Sequence, residues 1–230
     1  MYKNSFVTIA RALPVLAPLV LLAAAAEYIE PRVPRALMSF VLYALMALFA
    51  HRASLLKERP TVRQALSGRA ADGAPLPVLA FLLRAAVFIG ALVALIFGLG
   101  YGLALYSGVE ERLLRAVVVG GILLGIVLHG ILLSYTGTML PACAVGDDAS
   151  LAAAWARGKQ TFGRTLGRLF FGSFLFSAFT VILFVVIEGT LGEATGLRLA
   201  AERLLGAAMA LVSTVLAAMA LGRAYEDASA

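Results

Sequence analysis

Long apolar runs separated by short polar links set the pattern of this chain. A helix needs about 20 mainly apolar residues to cross a bilayer, and six stretches qualify, the second of them short: residues 6–28, 35–50, 78–106, 113–141, 165–187 and 199–221. The pattern predicts an all-α fold, a polytopic transmembrane helical bundle of about six spans, forming one integral membrane domain over 1–230. Pro14 and Pro18 fall inside the first span, which should bend or start irregularly. Two longer links, 51–77 and 142–164, lie on one side of the bundle. The first is punctuated by Pro60, Gly68, Gly73, Pro75 and Pro77, with a short surface helix expected over 62–66. No fixed-period repeat is visible.

Composition supports the membrane reading. Hydrophobic residues make up 62% of the 230 and charged residues only 14%, with a mean hydropathy of +0.95, whereas soluble domains carry about 25% charged residues. Lys3 and Arg11 precede the apolar block 13–26, which is read as a signal anchor retained as the first span. The formal charge of +6 reflects basic residues clustered in a few links rather than a nucleic-acid surface. With the N-terminus inside, 13 of the 19 Lys and Arg fall in inner segments, and seven of the 13 acids fall in outer links. That asymmetry places both termini in the cytoplasm. Cys143 is the single cysteine, so an intramolecular disulfide is excluded.

Candidate chemistry is sparse. Arg84 lies about six residues into the third span, and an arginine at that depth either extends to the headgroups or pairs in the interior. His129 lies nearer the midplane, with Ser134, Tyr135 and Thr136 following. Arg84, His129 and Tyr135 form the candidate intramembrane polar group, against the simpler reading of a packed, hydrogen-bonded histidine. His51, at the membrane edge, does not suggest a haem pair with His129, and CxxCH, His-Glu-x-x-His, Gly-x-Ser-x-Gly and P-loop motifs are absent. Asp147 and Asp148 read as helix-capping residues, with Asp148 or Ser150 bonding the N–H groups that open 151–157. Cys143 has no local base and reads as a small buried hydrophobe. Glu188 is expected at the outer interface.

Residues 134–170 concentrate most of the remaining polarity. Arg164 and Arg168, spaced i, i+4, share a helix face. With Arg157, Lys159 and the interfacial Trp155 they form the candidate lipid-headgroup or phosphate site, the alternative being orientation and anchoring. Gly121-x-x-x-Gly125 and Gly163-x-x-x-Gly167 permit close helix approach.

Two segments carry a family resemblance. His51-Arg52, Leu55-Leu56, Glu58 and Pro60 resemble an "HR…LL…E.P" segment that follows the second span in uncharacterised proteobacterial six-span proteins. Leu140-Pro141-Ala142, Gly146, Ala154-Trp155 and Gly158 resemble their "LPA…G…AW" segment, and Lys159-Gln160-Thr161 departs from the spacing around the threonine. Those proteins are loosely similar to YciC-type proteins and to the membrane domain of glycerophosphodiester phosphodiesterases. The resemblance implies a bacterial inner-membrane location and a connection with envelope lipid, without the phosphodiesterase chemistry. The expected role is therefore non-catalytic: a structural or accessory protein that packs with membrane partners or organises lipid. The alternative is a small transporter or lipid-translocating protein with a cytoplasm-facing cavity near Arg84, His129, Arg164 and Arg168. No cofactor or metal is expected. Expected partners are membrane lipids, anionic by the basic links, with a membrane-protein partner or a second copy of the chain.

Overall fold

The computed structural model describes residues 2–70, 73–107, 111–191 and 195–229, leaving aside the side chains of 2–3, 101, 103–107, 111–116 and 191. Its helices are α1 (Tyr2–Ala26), α2 (Arg32–Leu55), α3 (Val62–Ser67), α4 (Val78–Ser107), α5 (Glu111–Thr136), α6 (Met139–Val145), α7 (Leu151–Leu169), α8 (Leu175–Leu191) and α9 (Gly196–Ser229). A π-helical turn, Phe170–Phe174, joins α7 to α8. No strand occurs among the described residues. Six segments are long and apolar enough to cross a membrane, α7 and α8 counting as one. The chain is a multi-pass helical membrane protein. We call the side carrying the α2–α4 link and α6 the basic end.

The boundaries differ from the sequence expectation where a polar residue finds a partner. α2 continues one turn past His51-Arg52 to Leu55, because the Arg52 charge is met from outside the helix. α5 ends at Thr136, and Pro141, expected to end that span, lies instead in the first turn of the separate α6. Had α5 continued, the Gly137 carbonyl would have faced a proline without an N–H. The Leu140 N–H takes that carbonyl at 3.1 Å instead, and a proline is tolerated in a first helical turn. The expected loop 142–164 is largely helical, and α7 runs unbroken from Leu151 through the expected start of the fifth span. Its N-cap is Ser150, whose hydroxyl accepts from the Ala153 N–H at 3.2 Å. Asp148 in turn accepts from the Ser150 N–H at 2.9 Å, so the aspartate holds the cap rather than being it. The surface helix expected over 62–66 is α3, opened by a Thr61/Gln64 capping box and closed by left-handed Gly68.

Lipid is as apolar as a leucine, so helices in a bilayer associate through close packing at small residues. Three such approaches fix this bundle. A Cβ on Gly158 of α7 would sit 2.1 Å from the Tyr135 carbonyl oxygen of α5. One on Gly121 would sit 2.5 Å from the Leu99 oxygen, and one on Gly125 would lie 3.1 Å from Leu95 and Ile96 backbone. The motif at Gly121 and Gly125 is thus internal α4–α5 packing. Gly163 and Gly167 face open space.

Packing is uneven along the membrane normal. Leu16, Met46 and Val215 are fully buried where α1, α2 and α9 meet. Leu48, Phe81, Ala142 and Ala144 join α2, α4 and α6 near the basic end. Away from that end the support thins. On α4, no residue between Phe88 and Gly100 is buried, and none of α8 is buried among the described side chains.

Candidate functional site

The two segments that carried the family resemblance dock on one another. Arg52 is buried and forms a two-pronged pair with Glu58, Nε to Oε2 at 2.9 Å and Nη2 to Oε1 at 2.6 Å. Its remaining Nη1 donates to the Ala144 carbonyl at 2.8 Å, ninety-two residues away. A planar guanidinium suits this geometry because its fork satisfies a carboxylate while a third donor reaches a helix-end carbonyl. Arg84 works alongside, donating to Ala80 O at 3.0 Å and Ala149 O at 3.4 Å. It therefore extends toward the basic end, as a snorkelling arginine does. Burial pushes the Cys143 thiol up, with the neighbouring Arg84 acting against that shift. A buried thiol held protonated is a packing residue.

The expected polar group of Arg84, His129 and Tyr135 does not form. The Tyr135 ring stacks on Trp155 at 4.7 Å and on Phe162 at 4.5 Å between centroids. The Ser134 and Thr136 hydroxyls donate to carbonyls of their own helix, Gly130 O and Leu132 O, each at 2.8 Å. Trp155, Gly158 and Phe162 recur at i, i+3 and i+7, so one face of α7 presents two rings with a gap between them. Tyr135 fills that gap. Trp155 keeps 44% exposure and is both a packing ring and an interfacial one.

The candidate headgroup site on α7 also separates. Arg157 is engaged three ways: with Asp148 O at 2.9 Å, with Thr138 Oγ1 at 3.4 Å, and over the Tyr225 ring at 5.4 Å. The Tyr225 hydroxyl donates to Asp147 at 2.6 Å, and this bond holds the Asp147 carboxyl below its ordinary range. Asp148 is likewise held low by the Ser150 N–H. Arg168 pairs with Asp227 at 2.8 Å. Lys159 and Arg164 are exposed, but five residues place them about 140° apart around a helix, so they do not converge. Basic side chains do gather elsewhere. Arg11, Lys57 and Arg223 line a cavity of about 190 Å³ at the basic end, and Arg168 and Arg223 line a second of the same size beside it. Arg11 and Lys57 there donate to the carbonyls of Ala53 and Ser54.

A larger cavity opens within the bundle. It spans about 550 Å³ between α2, α4, α5, α9 and the π turn, and every residue lining it is uncharged. His129 faces it from α5 and His51 from α2. His51 lies one turn from the end of α2 yet turns inward; it is 1% exposed and His129 6%. Both His51 ring nitrogens and the His129 Nδ1 lack a hydrogen-bond partner. Phe81 meets the His51 ring edge-on at 6.0 Å. Ser173, Ser213 and Thr214 add hydroxyls to the wall. Ser213 bonds Ser173 at 2.9 Å and Ser177 at 2.7 Å. Leu169, Ala220 and Leu221, packed with Leu140, close the wall at the basic end. At the opposite end Tyr43 is shared with a further cavity of about 310 Å³, which carries Glu27, Glu188, Glu202 and Arg203. The serines were missed because single hydroxyls in apolar runs are common. The i, i+4 spacing of Ser173 and Ser177 was their only signal.

No cluster of three or more His, Cys, Asp or Glu suited to a metal occurs among the described residues. Fold and cavity define a class, a multi-pass helical membrane protein with an uncharged intramembrane cavity. Compared with protein-family models, curated proteins and solved structures, the chain matches none.

Proposed function

We propose that this is a non-catalytic, lipid-binding membrane protein that takes a lipid from the bilayer into its bundle. The carrying observation is the 550 Å³ cavity with its uncharged lining. Ligand cavities run from about 300 to 1,000 Å³, mostly apolar with a few polar groups that orient the guest, and this one fits that description. The weak support of α4 beyond Phe88 and of α8 favours sideways access from lipid. No carboxylate, lysine or cysteine lines the cavity beside its two histidines, which favours binding or translocation over chemistry. The family resemblance and the basic end together favour a bacterial inner membrane, with that end in the cytoplasm.

The test is mass spectrometry of lipid retained when the protein is released from native membranes. Wild type is expected to keep lipid through delipidation, and Ala47→Phe combined with Ala217→Phe, which fills the cavity, to lose it. Equal retention in the two proteins overturns the reading.

An accessory role is the second reading, favoured by α8, whose flank lacks support from its own bundle. Photo-crosslinking from Val185, which is 62% exposed, is expected to capture a protein partner on that reading and only lipid on the first.

A further inference from the structure

The proposed lipid-binding role leaves open which lipid the cavity accepts, and charge decides between candidates. We infer that the cavity selects a neutral-headed lipid bearing a hydroxyl or carbonyl group, and rejects phospholipids. This rests on the proposed lipid-binding role.

All nineteen lining residues are uncharged. The basic side chains beside the lining on α2 and α4 are committed elsewhere: Arg35 to Glu30 and Ile29 O, Arg52 to Glu58 and Ala144 O, and Arg84 to Ala80 O and Ala149 O. A phosphate drawn into this space would lose its water without gaining a countercharge, and an unpaired buried ion is among the costliest groups a protein can hold. Neutral headgroups meet no such penalty, and the walls carry partners for them. His129 is almost fully buried, faces the cavity, and has a nitrogen without a bond. Neutral imidazole carries an N–H on one ring nitrogen and a lone pair on the other, so the nitrogen that meets the guest donates to a hydroxyl or carbonyl, or accepts from a hydroxyl, according to tautomer. Ser213, bridging Ser173 and Ser177, and Thr214, whose hydroxyl donates to Ala210 O at 2.8 Å, leave hydroxyl oxygens on the wall as acceptors. His51 packs beneath, its ring nitrogens likewise without partners, and narrows the basic end of the cavity.

The experiment uses the full chain in phosphatidylcholine vesicles with a diacylglycerol carrying a photoreactive tail. Labelling is expected on α2, α4 and α9 peptides, and excess unlabelled diacylglycerol or an isoprenoid quinone to reduce it at least fivefold. Equal phosphatidylglycerol is expected to leave it within twofold. His129→Leu should weaken labelling about tenfold, and His129→Gln, which keeps a donor and an acceptor, should restore most of it. Displacement by unlabelled diacylglycerol but not by the quinone assigns recognition to the hydroxyl, and displacement by both assigns it to a carbonyl, which the two lipids share. If phosphatidylglycerol competes as well as diacylglycerol, the charge selection is overturned and lipid binding stands. If no lipid labels the cavity and the Ala47→Phe, Ala217→Phe protein behaves as wild type, both readings fall. A folding defect in His129→Leu shows as a lowered melting temperature. Ala217→Phe alone then carries the test, and unchanged labelling by neutral lipid in that variant overturns the inference.

Discussion

The two halves of this bundle are held together differently. At the basic end, backbone meets backbone at Gly158, three aromatic rings stack across α5 and α7, and Arg52 ties the α2 terminus to α6. Toward the opposite end, α4 and α5 pack mainly on each other through Gly121 and Gly125, and α8 has no buried residue among its described side chains. The cavity lies where the tight half gives way to the loose one. A cavity needs rigid walls to hold a shape and mobile ones to admit a guest, and low local packing is where such motion is found.

The sharpest way to break the contrast is to add bulk at one glycine in each half. In Gly158→Leu the new side chain meets Tyr135 backbone that cannot yield. Overpacking costs about 1–3 kcal/mol and more when backbone must move, so a loss of about 3 kcal/mol is expected in SDS-titrated unfolding. Gly121→Leu meets the Leu99–Gly100 backbone nearly as closely, yet there the α4–α5 pair can splay without disturbing α1, α2 and α9. Its global loss is expected to be less than half as large, with faster amide exchange confined to the outer parts of α4 and α5. Equal global losses would mean the two halves form one cooperative unit.

Next in size is Arg52→Ala. Removing one member of a buried ion pair costs about 3–5 kcal/mol. Glu58 is 23% exposed and regains water, so about 2 kcal/mol is expected. Arg52→Met with Glu58→Met should recover part of that loss, since no charge is then left stranded. A double variant no better than Arg52→Ala would show that the Ala144 carbonyl, not Glu58, is the partner that matters. Proteolysis of the α2–α4 link is the companion readout, because Glu58 begins that link.

These residues also mark how far the sequence could be read. The six spans were legible because each buries or exposes a continuous apolar run, and lipid demands nothing subtler. The cap at Ser150 and the short α3 were legible because capping is local, decided within four residues. The end of α5, the inward turn of His51 and the Arg52–Ala144 bond were not, since each depends on residues far off in the chain. The presumed basic site on α7 failed for a related reason. Spacing placed Arg164 and Arg168 on one face, but Asp227 from the end of the chain took Arg168 away. The Trp155, Gly158, Phe162 spacing did contain the ring stack, though it named no partner for it.

The smallest expected effect lies at the edge of the tight half, in the link from Asp147 to Tyr225. The tyrosine hydroxyl holds the Asp147 carboxyl below its ordinary value near 3.9. A carboxyl whose folded value is depressed stabilises the fold fully above its unfolded value and loses that contribution as pH falls through the folded one. Asp147 is exposed, so solvent screening keeps the effect slight. Tyr225→Phe is expected to lower the melting temperature marginally at pH 7, with the difference shrinking below pH about 4 and vanishing once the carboxyl is protonated in both proteins. No difference between Tyr225→Phe and wild type at any pH would assign Tyr225 its role through the ring, which phenylalanine keeps under the Arg157 guanidinium, rather than through its hydroxyl. The tight half would then be clamped by stacking alone at this corner as it is at Tyr135.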